Sequence, residues 1–592
     1  MPSPRPDRST VVPSLLALVP GLLLAGACGA RAAPPASVLL VTMDTTVPEA
    51  LGCYGGPPGV TPHLDRLARE GLVFEDARAV VPLTLPAHAS ILTGLYPPRT
   101  AVRRNGETRL SREALTLAER AEQAGYASAA FVSAVVLAPE FGLDQGFARY
   151  DAPETPESVE EHLAASRPAS DIAARARNWL GTLEDDRPFF LWLHFYDPHF
   201  PYAPEARFRA QAGGDAYLGE VAQMDAALGD VLEQLRRDGR YENTLILALA
   251  DHGEGRGRHG EETHGAFVFD STLRIPMLAR LPNGARAGER LPAPVSQVDV
   301  APLVASVLGW PAPAGLDGRD PLGPEAKPGI YFESYFGTKS FGWSPLAGWS
   351  DGTLKYVHSS APELYDLRAD PGETRNLAAE RPAEAEVLRG RVAELLTRPA
   401  VPRAALAGDL LSLQREIERL GYAGAGDGAE DEDPSPLAPS TRPSPHALTR
   451  AYAEYMEGRK IFEEKGPREE AIPLLERALE SNPENHKAWF TLGLARLDLQ
   501  LFGPAADAFR RVLDFPGGER IPAQLNLAVC YYNLGRREEA VEVLESALSD
   551  TPGPPGALEL LARLLDECGR AEEAMRARVR ARARDAKSSP TG

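Results

Sequence analysis

The C-terminal part of the chain repeats itself with a period of about 34 residues. An alanine followed by a short apolar run recurs at Ala471, Ala505, Ala540 and Ala574, at intervals of 34, 35 and 34 residues. Three such intervals in a row are hard to obtain by chance. A fixed period of this length predicts stacked pairs of helices, because each pair can bury its apolar face only on the next pair.

This pattern resembles tetratricopeptide repeats, so we expect an all-α repeat domain over residues 448–586, with three regular repeats and a degenerate fourth. The resemblance implies a groove that binds a peptide or another protein, and a rigid spacer or dimerisation module is the alternative. Residues 423–447 are acidic, rich in Pro and Ser and aperiodic, which predicts a disordered, flexible linker. Residues 401–422 predict a short helical extension before that linker.

The first 32 residues predict a signal for export. Two arginines precede a mostly apolar run over residues 11–24, which is shorter than the ~20 residues that a membrane span needs. Residues 30–32 have the small-x-small form of an ordinary cleavage site. Residues 24–28 instead resemble a lipobox ending in Cys28, which implies a lipid anchor. We expect a periplasmic protein or one tethered to the membrane as a bacterial lipoprotein.

Charge and cysteine usage exclude several classes of protein. The 592-residue chain has 63 Lys and Arg against 83 Asp and Glu, a formal net charge of −20. That balance argues against nucleic acid or an anionic membrane face as the main partner. A hydrophobic content of 43% excludes wholesale disorder. The four cysteines form neither a metal knuckle nor a dense disulfide framework.

Residues 36–400 alternate short apolar runs with amphipathic stretches, which predicts a large α/β domain. Four runs of strand length are apolar on both faces, as in a buried sheet flanked by helices. These runs are Ser37–Thr42, Ser128–Val132, Phe189–Phe195 and Thr244–Ala250. The pattern also predicts helices over Thr61–Glu70 and Ser111–Ala124, the second with Ser111 as its N-cap.

Two of the predicted strands end in side chains that can bind a metal. Asp44 follows the first strand, and Asp251 and His252 follow the last one. In open α/β sheets ligands gather at the carboxyl ends of strands, so these residues could supply three ligands to a divalent cation. A helix cap at Asp44 and a hydrogen-bonded histidine in a Gly-rich loop are the alternatives.

Two further segments carry side chains suited to chemistry. Thr84 stands in the run LTLPAHAS, which predicts a turn feeding a helix whose first amides can hold an anion. Thr84 as a simple N-cap is the alternative. His199 follows a strand that Pro198 breaks, whereas His194 inside that strand is interpreted as a core histidine.

Together these segments resemble the sulfatase branch of the alkaline-phosphatase superfamily. The resemblance runs from about residue 37 to residue 378 and implies a mixed sheet flanked by helices. The matching runs, in chain order, are SVLLVTMDTT, LGCYGG, TPHLDRLAREG, LPAHASILTGLYPPR, RRNG, DPHFPY, ADHGE, SQVDVAPLVASVLG and ELYDLRADPGETRNLA.

The resemblance also implies roles for individual residues. Asp44, Asp251 and His252 would hold a divalent metal ion (Mn, Zn or Ca), and the nucleophile Thr84 would touch that metal. Asn105 would bind a non-bridging oxygen of the substrate. His199 and His264 occupy positions that contact a substrate oxygen or the leaving group. His259, on the same loop as His264, is predicted to bind substrate.

The sequence departs from the sulfatase pattern at three positions. Sulfatases oxidise a Cys or Ser in C-x-P-x-R to formylglycine, whereas this chain has Thr84 and, at the Arg position, His88. Threonine carries a methyl group on the carbon that would become the aldehyde, so we expect no formylglycine. Thr45 replaces the second residue of a paired Asp-Asp and removes one carboxylate ligand.

Family members with Thr at the nucleophile position resemble phosphodiesterases and phosphoryl transferases. We therefore expect a metal-dependent hydrolase of phosphate esters. Two alternatives stay open: hydrolysis of a sulfate ester without formylglycine, and a catalytically degenerate scaffold whose repeats are the functional part.

Overall fold

The computed structural model describes residues 35–153, 167–184, 187–311, 314–324, 329–406, 433–464, 466–515, 520–549 and 556–588. The predicted export signal at residues 1–32 lies outside the described residues. Among the helices that are described, none is both long enough and apolar enough to cross a membrane.

A nine-stranded mixed sheet carries the candidate site. Its strands follow the order β10-β2-β9-β7-β1-β6-β4-β5, and β8 pairs with β2. A second, antiparallel sheet has the order β11-β12-β13-β14, and β3 pairs with β15. In chain order the strands are β1 (Ser37–Met43), β2 (Leu72–Arg78), β3 (Thr108–Arg109), β4 (Ala127–Phe131), β5 (Arg149–Asp151), β6 (Phe189–Phe195), β7 (Thr244–Ala250), β8 (Arg274–Ile275), β9 (Met277–Arg280), β10 (Arg290–Ser296), β11 (Ile330–Ser334), β12 (Leu346–Ser350), β13 (Leu354–His358), β14 (Glu363–Asp366) and β15 (Ala404–Ala405).

Helices cover both faces of the large sheet and also build the C-terminal part. Those of the first part are α1 (Pro62–Glu70), α2 (Thr84–Thr93), α3 (Pro97–Thr100), α4 (Leu117–Gln123), α5 (Ala169–Leu180), α6 (Ala206–Gln211), α7 (Ala216–Arg237), α8 (Asp270–Leu273), α9 (Val300–Leu308), α10 (Phe336–Ser340) and α11 (Pro382–Leu396). Those of the C-terminal part are α12 (Thr449–Glu463), α13 (Arg468–Ser481), α14 (His486–Asp498), α15 (Phe502–Leu513), α16 (Arg520–Asn533), α17 (Arg537–Ala547), α18 (Ala557–Glu567) and α19 (Ala571–Ser588).

The central strands are buried on both faces, as the apolar runs predicted. Alternate residues of β1 pack into two separate cores: Val38 and Leu40 face α2 and α4, whereas Leu39 and Val41 face α1, α5 and α7. The four predicted strands are confirmed as β1, β4, β6 and β7 within about one residue at each end.

The predicted helix over Ser111–Ala124 is shorter than expected and has a different cap. It begins at Leu117, and the Thr116 hydroxyl accepts the Glu119 N–H while the Glu119 carboxylate accepts the Thr116 N–H. This capping box satisfies two amides reciprocally, whereas the Ser111 hydroxyl only accepts a hydrogen bond from Glu113 N at 3.3 Å within a turn. Ser111 as N-cap was therefore wrong.

The repeat prediction matches the helices of the C-terminal part. Helices α12–α19 form four consecutive pairs, and the recurring alanine lies on the second helix of each pair. Ala471, Ala505, Ala540 and Ala574 are all fully buried. A small side chain at this position lets the helices of a pair approach closely, which explains why alanine marks the period.

The linker predicted over residues 423–447 differs from the structure where it is described. Residues 433–447 pack on the large α/β domain, where Asp433 accepts a 2.5 Å hydrogen bond from Arg104 and His446 Nδ1 lies 2.5 Å from Glu363. The Pro443 carbonyl accepts from Ser344 N at 3.0 Å. These partners are distant in sequence, so local composition could not reveal them. Residues 423–432 lie outside the described residues.

The predicted helical extension over residues 401–422 is also corrected in part. Ala404 and Ala405 form β15, which pairs antiparallel with β3. The strand partner comes from residues 108–109, far from the local apolar pattern on which the helix prediction rested. Residues 407–422 lie outside the described part of the chain.

Candidate metal and nucleophile site

Two buried carboxylates lie side by side because of the register of the central strands. In the parallel pair β1 and β7, Met43 is opposite Ala250, so Asp44 and Asp251 are the next residues at the same sheet edge. Both side chains are fully buried. Among the described residues, neither oxygen of Asp44 nor Oδ2 of Asp251 has a hydrogen-bond partner. Unpaired buried carboxylate oxygens are costly, so these residues fit a cation held between them.

The lone pair on Nε2 of His252 points toward these carboxylates. Its Nδ1 lies 3.1 Å from the Gly253 carbonyl, and because a carbonyl only accepts, Nδ1 carries the proton of the neutral ring. The unprotonated Nε2 lies 3.6 Å from Asp251 Oδ2 and 3.7 Å from Asp44 Oδ1. Burial lowers the pKa of His252 to about 3, which keeps the ring neutral.

Thr84 is the first residue of α2 and faces the same point. Its Oγ1 lies 3.4 Å from His252 Nε2, and the side chain is buried. The N-cap position of α2 is Leu83, so the N-cap alternative for Thr84 does not describe this helix. The hydroxyl is therefore beside the candidate metal ligands, where a nucleophile would have to be.

The four groups fit a divalent cation. Ligand atoms of Asp44, Asp251 and His252 all lie within 4.8 Å of one another. Burial raises the pKa of Asp44, and burial together with the neighbouring charge of Asp44 raises that of Asp251. A divalent ion would supply the positive charge that two buried carboxylates require, with oxygen and imidazole ligands that suit Zn, Mn or Ca to different degrees.

Asn105 is held beside Thr84 by the backbone of α2. Its Oδ1 accepts a 2.9 Å hydrogen bond from Leu85 N, which fixes the amide plane. The Nδ2 atom is buried and has no hydrogen-bond partner among the described residues. An unsatisfied buried N–H₂ group next to the hydroxyl is suited to an oxygen of the substrate, the role predicted for this residue.

His199 and His264 face each other across the site. His264 Nδ1 lies 3.1 Å from the Pro82 carbonyl and His199 Nδ1 lies 2.7 Å from the Phe200 carbonyl, so both Nδ1 atoms are donors. Their Nε2 atoms are 3.4 Å apart. The ring of His264 is also 4.2 Å from that of His252, centroid to centroid. The pair therefore adjoins the candidate metal ligands and can hold a proton between its two Nε2 atoms.

His88, the residue at the Arg position, has a role that sequence reasoning missed. Its Nδ1 donates to the Thr84 carbonyl at 2.7 Å, so its Nε2, 2.9 Å from Thr42 Oγ1, is the acceptor in the neutral ring. Trp192 Nε1 donates to the same Thr42 hydroxyl at 3.0 Å. Both nitrogens of His88 are thus engaged, and the residue fixes the first turn of α2.

His194 belongs to the site region and is more than a core histidine. It is fully buried and its Nδ1 accepts from Ser133 N at 3.4 Å, so Nε2 carries the proton. That Nε2 lies 3.5 Å from Asp44 Oδ2. The strand register places His194 opposite Thr42, two residues before Asp44, a pairing that the local sequence does not reveal. The N–H can orient the carboxylate, as groups behind metal ligands do.

His259 lies in a ring stack on the loop that leads to His264. Its ring is 3.6 Å from that of Phe269, and Phe269 is in turn stacked on His446 at 4.0 Å. The side chain is half-buried, and burial lowers its pKa. Its predicted role in binding substrate stays a prediction.

Comparisons with known proteins show which family and fold this chain resembles. The sulfatase family model matches residues 36–310, and a tetratricopeptide repeat model matches residues 521–564. The chain is 27% identical to arylsulfatase A of Homo sapiens over 440 residues, 60% of this chain and 86% of that protein. It is 26% identical to a multifunctional alkaline phosphatase superfamily protein of Trinickia caryophylli over 483 residues, 60% and 93% of the two chains.

Solved structures show the same fold. A phosphonate monoester hydrolase of Agrobacterium radiobacter superposes with a TM-score of 0.50 at 23% identity, covering 61% of this chain and 95% of that one. At this level of identity the likeness concerns the fold alone.

Proposed function

Since residues 36–310 are a sulfatase-family domain and a tetratricopeptide repeat follows near the C-terminus, we propose that this hydrolase cleaves phosphate esters with Thr84 as its nucleophile. One observation carries the proposal. The Thr84 hydroxyl lies 3.4 Å from the lone pair of His252, next to two carboxylates whose buried oxygens lack partners.

A divalent cation held by Asp44, Asp251 and His252 would lower the pKa of the adjacent hydroxyl and offset negative charge on the transferred group. Threonine needs such activation, because its free hydroxyl is a poor nucleophile. Oγ1 of Thr84 then gives up its proton to the facing Nε2 atoms of His199 and His264 and forms a bond to phosphorus, while the bond from phosphorus to the ester oxygen breaks. A phospho-Thr84 results, and water or an acceptor alcohol removes the phosphoryl group.

Three side chains serve the substrate in this scheme. The Nδ2 group of Asn105 donates to a non-bridging phosphate oxygen. His199 faces a second oxygen, and the proton taken from Thr84, held between Nε2 of His199 and Nε2 of His264, passes to the departing alkoxide. Both Nδ1 atoms donate to backbone carbonyls, so the rings keep their Nε2 atoms directed at the substrate.

A second candidate function is supported by the relatives. Arylsulfatase A of Homo sapiens is named for sulfate esters, and this chain is similar to it over most of that protein's length. Sulfate-ester hydrolysis here would need direct attack by Thr84, since threonine cannot form the formylglycine aldehyde. The phosphate proposal is preferred because family members with Thr at the nucleophile position resemble phosphodiesterases and phosphoryl transferases.

A substrate panel separates the two functions. Metal-free protein is reconstituted with Zn²⁺, Mn²⁺ or Ca²⁺ and tested on nitrophenyl phosphate, a nitrophenyl phosphodiester and nitrophenyl sulfate. We expect turnover of a phosphate ester that depends on the added metal and is lost in Thr84→Ala. Turnover of the sulfate alone would overturn the phosphate proposal, and equal turnover by Thr84→Ala would overturn the role of Thr84.

Location and partners extend the proposal beyond the site. The export signal would place the enzyme in the periplasm, free or anchored through a lipid on Cys28. The groove of the repeats is suited to a peptide or protein partner. The net charge of −20 argues against nucleic acid as that partner.

A further inference from the structure

The first repeat helix shares its hydrophobic core with the catalytic domain. Buried side chains of α12 and α13, including Tyr452, Tyr455 and Leu475, belong to the same continuous core as the strands β1 and β7. Side chains of the later repeats, such as Phe509 and Tyr531, form a separate core. The boundary between the two hydrophobic cores therefore lies within the repeats and not at the predicted linker.

Helix α12 rests directly on the loop between His252 and His264. A side-chain carbon added at Gly260 would lie 2.8 Å from the Thr449 carbonyl and 3.0 Å from Ala453 Cβ. The backbone of Gly260 has a φ of +76°, a conformation that glycine adopts without strain. The loop and the helix are thus as close as backbone packing allows.

Aromatic packing ties the other flank of this loop to the same helix. Tyr452 is 3% exposed, and its ring lies 5.4 Å from Phe267 and 5.8 Å from Trp343, between centroids. Phe267 is only three residues beyond His264. Immediately before α12, His446 Nε2 accepts from Val268 N at 3.4 Å. Phe267 and Val268, three and four residues after His264, are therefore held by Tyr452 and His446.

We propose that Tyr452 is a positioning residue for His264, acting through Phe267, and that helix α12 is part of the catalytic unit. The inference rests on the proposed role of His264 in protonating the leaving group. If α12 is loosened, the loop from Gly253 to Phe269 gains freedom, and Nε2 of His264 spends less time facing the substrate. The turnover of an ester with a poor leaving group then falls more than that of an ester with a good leaving group, because only the poor leaving group needs the proton.

The test compares three variants of the full chain. Tyr452→Ala removes the ring, Tyr452→Phe keeps it, and Tyr531→Ala removes a buried ring of the same type from the separate core. We measure hydrogen exchange of peptides covering residues 255–269 and turnover of a nitrophenyl and an ethyl phosphate ester. Only Tyr452→Ala should speed exchange in the loop and slow the ethyl ester, by about tenfold relative to the nitrophenyl ester.

Two results would overturn the proposal. One is unchanged exchange over residues 255–269 in Tyr452→Ala. The other is faster exchange with equal effects on both esters, which would separate the loop from leaving-group protonation. If Tyr452→Ala does not fold, His446→Ala, which removes the acceptor of Val268 N, replaces it. Failure of the proposed function is distinguishable, because it appears in the wild-type substrate panel, while loop exchange is read without any substrate.

Discussion

Thr84 Oγ1 lies 3.4 Å from Nε2 of His252, and that nitrogen carries a lone pair because Nδ1 of the same ring donates to the Gly253 carbonyl. A hydroxyl and an imidazole lone pair thus point at one spot between two buried carboxylates. This contact relates the proposed nucleophile to the candidate metal ligands and leads to the first prediction.

Thr84→Ala should abolish turnover while the protein still binds its metal. The three ligands Asp44, Asp251 and His252 remain, whereas the attacking oxygen is gone, so we expect a loss on the order of 10³-fold or more in kcat. Initial rates and metal analysis of the same preparation check this. Thr84→Ser is the matched control and should keep measurable activity. A Thr84→Ala enzyme that retains its rate would show that another group attacks the substrate.

Asp44→Asn should weaken the metal site and stabilise the metal-free protein. Two buried carboxylates repel each other without a cation, so removing one charge relieves an unfavourable interaction. We expect metal affinity to fall at least about tenfold, since even indirect contacts to a metal ligand are worth that much. With metal bound, wild type should have the higher melting temperature; with chelator, Asp44→Asn should have the higher one. The same ranking in both conditions would argue against a cation at this position.

Because of the Glu261 carboxyl, the free energy of unfolding should fall as the pH rises. Burial raises the pKa of its carboxyl from 4.5 to about 8, so between these values the folded chain binds more protons than the unfolded chain. Stability relative to Glu261→Gln then decreases by about 1.4 kcal/mol per pH unit over that window and levels off above it. Thermal unfolding of both proteins from pH 5 to pH 9 measures the difference. Glu262 is an exposed neighbour, and the pH dependence of stability of Glu262→Gln should run parallel to that of wild type. If the curve for Glu261→Gln also runs parallel to wild type, the assignment is refuted.

His88→Ala should lower kcat with little change in KM or metal content. The ring donates to the Thr84 carbonyl and so fixes the turn that carries the nucleophile. Small misplacements of a reacting group are expensive, and we expect a loss of about tenfold or more. Thr42→Val, which removes the hydroxyl on the other side of the ring, should act in the same direction but more weakly. An increase in KM alone would assign His88 to substrate binding.

The strands, and the place of the candidate metal ligands at their ends, could be predicted from the sequence because both depend on local pattern. Runs such as Thr244–Ala250 are apolar on both faces, and Asp251 follows directly where the strand ends. The topological rule that ligands gather at the carboxyl edge then brings Asp44 and Asp251 together. Their adjacency in the structure follows from the register of β1 and β7.

The remaining features depend on contacts that no local pattern encodes. The ring of His194 is inside a buried strand, where a core histidine and one that faces Asp44 have the same sequence environment. The docking of residues 433–447 depends on Arg104 and Glu363, which are far away in the chain. Composition alone therefore favoured a linker, although these residues are packed on the catalytic domain.

The alignment of β1 with β7 also limits when the enzyme can become competent during folding. These strands are about 200 residues apart in the chain, and neither carboxylate meets the other until the long intervening segment has closed. A metal ion added to refolding protein should therefore be captured late, and its uptake would report the completion of the sheet. The cation would therefore bind to the completed sheet and would not help its strands to assemble.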